Sequence, residues 1–203
     1  MRRNLKSGGV NPMEVFSLAE TAGNGNLTYG QMNLINTLRK LWMELAMWRR
    51  AFLVSYAANF GDIELVGERL YQAPTNLGNI LEVFFGFQIA RRVENLIREQ
   101  IITGLEILNA EGQGNREAVD AGTERLYRNA DQIAAYLAEI NPYWSEEEWK
   151  RLLYEYYETT IREMVMVLSG YYAEDIALYE NLEDQALNIA DYMARGIIEY
   201  FMG

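Results

Sequence analysis

Histidine and cysteine are both absent from this 203-residue chain. Together these absences remove the usual catalytic bases, the thiol nucleophiles and the soft metal ligands. Carboxylates, amides, tyrosine and lysine are left for any chemistry. Without cysteine there is no disulfide framework either. Only three residues are proline while half are apolar, so there is ample material for a sizeable core. No window approaches the roughly 20 uninterrupted apolar residues that crossing a bilayer requires. The opening MRRNLKSGGVNP carries positive charge but no apolar stretch behind it, so it does not read as a signal peptide. A cytoplasmic location is the expectation. No P-loop, dinucleotide fingerprint, nucleophile elbow or zinc-ligand spacing is present.

Positive charge is in deficit as well. There are 29 acidic residues against 18 Lys and Arg, a formal charge of −11. The imbalance is concentrated late: residues 1–140 carry 16 acidic and 14 basic side chains, residues 141–203 carry 13 and 4. Such a surface repels phosphate backbones, which argues against nucleic acid as a partner. It is better matched to cations, to a basic protein partner or to a homo-oligomer. The acid also keeps a tyrosine-rich protein soluble.

What the chain does have is helical periodicity from near Thr28 to the end. Residues 1–27 are rich in Gly, Asn and Ser, with one short apolar stretch at Val15, Phe16, Leu18 and Ala19, and read as a flexible arm. Residues 28–203 read as the folded domain. Thr28 with Gln31 forms a capping-box start, and Ile35, Leu38, Trp42, Leu45, Phe52 and Tyr56 follow at three-and-four spacing to about Phe60. Asp62 opens a short helix expected to stop before Pro74. A long helix is expected from Asn76 to Ala110, with a bend at Gly86. Asn115 caps the next, which Asn141-Pro142 ends. Ser145-Glu146-Glu147-Glu148 starts another, with acids at the positive end of the helix dipole. Ser169-Gly170 interrupts before a last helix to Tyr200. Short connections between such long helices force neighbours antiparallel. The expected fold is all-α: an up-and-down bundle of four to five long antiparallel helices plus one short helix.

Side by side, the stripes suggest a level at mid-bundle. Glu44, Glu99, Glu155 and Asp184 each precede a residue turned inward, namely Leu45, Gln100, Tyr156 and Gln185. The carboxylates are the weak candidates for a hard divalent cation, since only oxygen ligands remain. Otherwise they are solvated acids, and no cofactor is expected. Gln100, Tyr156 and Gln185 read as a hydrogen-bonded polar layer in the core. No catalytic residue stands out.

Four stretches carry a resemblance: Leu41-Trp42-x-Glu44-x-x-x-Trp48, Asn129-Ala130-Asp131-x-Ile133-Ala134, Ile140-Asn141-Pro142-x-Trp144-Ser145-Glu146-Glu147-Glu148-Trp149 and Tyr172-Ala173-x-Asp175-Ile176. Over roughly residues 35–200 the chain resembles a group of small, uncharacterised, all-helical bacterial proteins, loosely similar to ferritin-like and haemerythrin-like metal-binding bundles. The resemblance implies histidine at the positions of Leu45, Gln100, Tyr156 and Gln185, and this chain departs from that pattern at all four.

The basic doublets Arg39-Lys40, Arg49-Arg50 and Arg91-Arg92 are expected to pair with acids on the last two helices, with an anion site as the alternative. Three functions compete. The first is a non-catalytic bundle in a structural or interaction role, a homologue of metal-binding bundles that lacks the histidine ligands. The second is a carboxylate-rich cation site. The third is a sensor or enzyme with an aromatic-lined pocket. The composition favours a protein that is not an enzyme.

Overall fold

A computed structural model describes residues 27–201; the expected arm, residues 1–27, lies almost wholly outside them. The described residues form six helices and no strand: α1 (Tyr29–Ala57), α2 (Ile63–Phe85), α3 (Phe87–Gly112), α4 (Arg116–Ile140), α5 (Glu146–Leu168) and α6 (Tyr172–Phe201). Their lengths run from 23 to 30 residues, so none is short. The all-helical bundle stands, with six long helices in place of four to five and a short one.

The difference lies at Pro74 and Gly86. Proline deprives a helix of one hydrogen bond and crowds the preceding turn, so a stop before Pro74 was the local expectation. Instead α2 runs through it. Leu70, Ala73, Leu77 and Leu81 form one buried stripe spanning the proline. Arg98 on α3 donates to the Tyr71 carbonyl at 3.0 Å, beside the disturbed turn, and to Thr75 Oγ1 at 3.1 Å. Packing and an outside donor therefore override the local stop signal. Gly86 does more than bend the chain. At φ +79° and ψ 168° it ends α2 and reverses directly into α3, a conformation that favours glycine.

The other caps follow the sequence. Thr28 and Gln31 bond reciprocally at the start of α1, Asn115 accepts from the Ala118 N–H, and Ser145 accepts from the Glu148 N–H. Gly114 and Gly170 turn the chain with φ of 67° and 77°.

Each helix packs on its neighbours in sequence, and α6 packs back on α1, closing a ring. Inside it, α5 also touches α1 and α3. A single apolar core runs through all six helices, from Leu38 and Trp42 through Leu81, Ile97, Ile133 and Leu153 to Ile189. The α4–α5 connection is docked rather than loose. Asn141, fully buried, donates to the Gly196 carbonyl at 2.9 Å, and the Ser145 N–H donates to the Tyr192 hydroxyl at 2.6 Å. Trp144 lies against the α6 backbone, where a Cβ on Gly196 would fall 1.9 Å from its Nε1.

Candidate functional site

The inward stripe of α5 brings Tyr156, Thr160 and Glu163 to the place where α1 crosses it, because residues three and four apart share a helix face. Arg49 and Arg50 reach them from α1. Arg49 donates to Thr160 Oγ1 at 2.5 Å and to Glu163 at 3.4 Å, with its guanidinium 4.8 Å from the centre of the Tyr156 ring. Arg50 donates to the other Glu163 oxygen at 2.7 Å and forks onto Asp175 of α6 at 3.0 and 2.6 Å. Glu163 and Asp175 are almost fully buried. The two arginines and two carboxylates thus form a balanced lattice tying α1, α5 and α6 together. The hydrogen bonds that Arg50 donates to Asp175 and Glu163 push its guanidinium pKa further up, against its own burial.

Beside this lattice lies a chamber of about 30 Å³, lined mostly by α1, α3 and α5 with Leu70 of α2 and Leu126 of α4. Its wall is largely apolar, with Leu45, Leu108 and Met164 in it, and its polar lining is Arg49, Gln100, Tyr157, Thr160 and Glu163. Arg49 Nε, Gln100 Oε1 and the Tyr157 hydroxyl have no hydrogen-bond partner in the protein. Burial raises the pKa of Tyr157, reinforced by its neighbour Tyr156 and opposed by Arg49. Tyr156, also fully buried, is raised mainly by burial too. Tyr179, under the Arg50 guanidinium, is pushed up to about 12 by burial and by the charges of Glu183 and Glu163. In all three, burial disfavours the phenolate form.

The positions singled out from the sequence divide. Leu45 and Gln100 line the chamber together, and Tyr156 lies beside it against Trp42, 6.3 Å between ring centres. Gln185 faces elsewhere, into a surface depression between α5 and α6 that it shares with Glu155, Asp184 and Arg162. The expected hydrogen-bonded layer does not form: Gln100 Oε1, the Tyr156 hydroxyl and Gln185 Oε1 have no partner. Glu44 takes Arg69 at 3.2 Å and Lys40 at 3.8 Å, Glu155 takes Arg151 at 2.9 Å, and Glu99 and Asp184 are exposed. Among the described residues no three carboxylates gather closely enough to hold a metal ion.

The basic doublets also divide. Arg39 forks onto Asp191 of α6, as expected of an early base and a late acid. Arg49 and Arg50 do the same with Glu163 and Asp175. Arg91, contrary to expectation, pairs with Glu94 on its own helix, and Arg92 is exposed without an ion pair among the described residues. Neither Glu163 nor Asp175 stands out in the sequence as a site residue. The signal for Glu163 was there, since it continues the 156, 160, 163, 167 stripe. Asp175 reads from sequence as one more acid in the first turn of a helix.

A second feature is an open groove of about 790 Å³ between α1, α2 and α6. The links of the ring run α1 to α2 and α6 to α1, so the outer face of α1 is left uncovered between its neighbours. Met43, Met47, Trp48, Val54 and Phe60 line it, with Lys40, Glu44, Asp62 and Glu183 among its charged residues. Met47 and Phe60 are about half exposed. No described helix is long and apolar enough to cross a membrane.

No family model, curated protein or solved structure matches this chain.

Proposed function

We propose that the protein acts without catalysis, as a helical module that binds another polypeptide along the α1–α2–α6 groove. The observation that supports this best is how the polar groups are spent. In the core, Arg49, Arg50, Glu163 and Asp175 are committed to tying helices together, and the chamber beside them is too small for an organic substrate of ordinary size. The groove, in contrast, is large, apolar and open. Its two methionines present flexible, polarisable side chains of the kind that adapt to a partner helix. Lys40 and Arg50 already have carboxylate partners, whereas Asp62 and Glu183 have no ion pair among the described residues. The occupant that fits is an amphipathic helix with basic residues beside its apolar face.

Descent from metal-binding bundles that lost their histidines belongs to the same reading, with Leu45, Gln100 and Tyr156 clustered in or next to the chamber. The hard-cation reading has less behind it, because Glu44 and Glu155 already hold arginines.

Photo-crosslinking residues at Met47 and at Val165, an exposed residue on α5 outside the groove, test the proposal in the native cells. Met47 should capture one or a few defined proteins that Val165 does not, and Val54→Glu should abolish capture without lowering helicity. Identical adducts from both positions would remove the case for a specific groove.

A further inference from the structure

The chamber between α1, α3 and α5 carries more than a packing defect would. Three polar ends meet its wall without partners: Arg49 Nε, which can only donate, Gln100 Oε1, which can only accept, and the Tyr157 hydroxyl, which can do either. Gln100 and Tyr157 are themselves 7% and 1% exposed, so bulk water does not satisfy them. A buried polar group left unpaired costs about 1–3 kcal/mol.

Gly104 lies in the same wall, within α3. Nothing steric demands a glycine there. Its φ is not positive, and an added Cβ would find only the flexible end of Met164, at 4.0 Å. Glycine inside a helix is destabilising by roughly 0.5–1 kcal/mol relative to alanine. Its effect here is to keep the chamber open by one methyl group.

We propose that the chamber is a binding site for a hydroxyl group, supplied by water or by a short alcohol whose carbons lie against the leucine wall. A hydroxyl can accept hydrogen bonds from Arg49 and Tyr157 while donating its own to Gln100. A carbonyl or ether oxygen only accepts, and an ammonium only donates. Charge excludes ions: the Arg49 guanidinium is already matched by Glu163, and Glu163 also by Arg50, so a charged guest would sit unbalanced in a site shielded from bulk water. Size excludes anything large. A cavity of about 30 Å³ takes two waters or a molecule of very few heavy atoms.

Methyl NMR on the full-length chain, labelled at Met and Leu, tests the site in two arms. The first measures magnetisation transfer from long-lived water to the Met164 methyl. The second titrates ethanol against dimethyl ether, an isomer with the same heavy atoms and no donor. A water contact at Met164, or a saturable ethanol shift there at least tenfold tighter than that of the ether, is the expected result. Water alone makes water the occupant; the ethanol shift makes an alcohol a guest. Gly104→Ala and Gln100→Leu should abolish both signals, and Gly104→Ala should melt at or above the natural chain. Absence of both signals overturns the proposal. So does equal binding of the ether, which would mark an apolar void, or persistence of the signals in Gln100→Leu, a second variant that decides the matter even where Gly104→Ala does not fold.

Discussion

At the scale of single residues, burial decides which charges matter. From sequence the basic doublets look like solvated helix faces, where one ion pair contributes about 0–1 kcal/mol. Glu163, at 1% exposure and holding both Arg49 and Arg50, is a different case. Its removal would leave two partly buried guanidinium groups short of a partner. Glu163→Ala should therefore cost about 3–5 kcal/mol in chemical denaturation, while Glu124→Ala, which removes an exposed pair with Arg128, should shift the midpoint hardly at all. Glu94 gives a pH signature. Burial on its own would raise its carboxyl, but hydrogen bonds from Thr75, Arg91 and Arg98 outweigh that and hold it below the ordinary glutamate value. A lowered folded-state pKa contributes stability above the ordinary value of about 4.3, and that stability is lost as the pH falls through the folded value. The melting temperature should drop between about pH 5 and pH 3. Glu94→Gln should melt lower than the natural chain at pH 7 and show a shallower fall across that window.

At the scale of elements, the informative places are those where local propensity and packing disagree. Pro74 is a helix stop in isolation and a helix interior in the protein. Its turn is held by the stripe Leu70, Ala73, Leu77 and Leu81 and by Arg98 on the Tyr71 carbonyl. Arg98→Met should consequently loosen α2 near Pro74, read as faster amide exchange confined to residues around 71–78. The α4–α5 connection shows the reverse relation, a loop sequence buried against α6 and hydrogen-bonded to it. Trp144 occupies the space above Gly196 so fully that a Cβ there would meet Nε1 at 1.9 Å. Gly196→Ala must displace an indole from the core, and we expect a loss of about 2–4 kcal/mol, in the upper range for overpacked cores. Ala at exposed Gly61, where nothing lies within 4 Å, is the matched control and should be close to neutral.

At the scale of the whole molecule, the closed ring makes the helices mutually dependent. Every helix packs on two neighbours in the ring, and α5 braces α1 and α3 from inside. No subset of helices has a core of its own, so unfolding should be a single transition. The tryptophans allow a direct check, because Trp42 and Trp48 report on α1 while Trp144 and Trp149 report on the α4–α5 corner and the start of α5. Fluorescence from Trp42/Trp48-only and Trp144/Trp149-only variants should give the same denaturation midpoint as far-UV circular dichroism. Separate midpoints would mean that the ring opens in parts.

Period, caps and composition sufficed for the helical class, the starts at Thr28, Asn115 and Ser145, and the turn at Gly170, because these depend on neighbours within one turn of chain. They also sufficed to remove histidine and cysteine chemistry, since an absent residue type is absent from every fold. Tertiary structure decided the rest. Pro74 stays helical because of a donor 24 residues downstream. Gln185 parts from Gln100 and Tyr156 because an inward phase sets a face and not the point that face reaches. Glu163 and Asp175, unremarkable among 29 acids, become the ties of the core because α1 carries two arginines past them. The chamber is the furthest from the sequence of all: its shape is the gap left where five helices meet, and Gly104 acquires a meaning only once Met164 stands opposite.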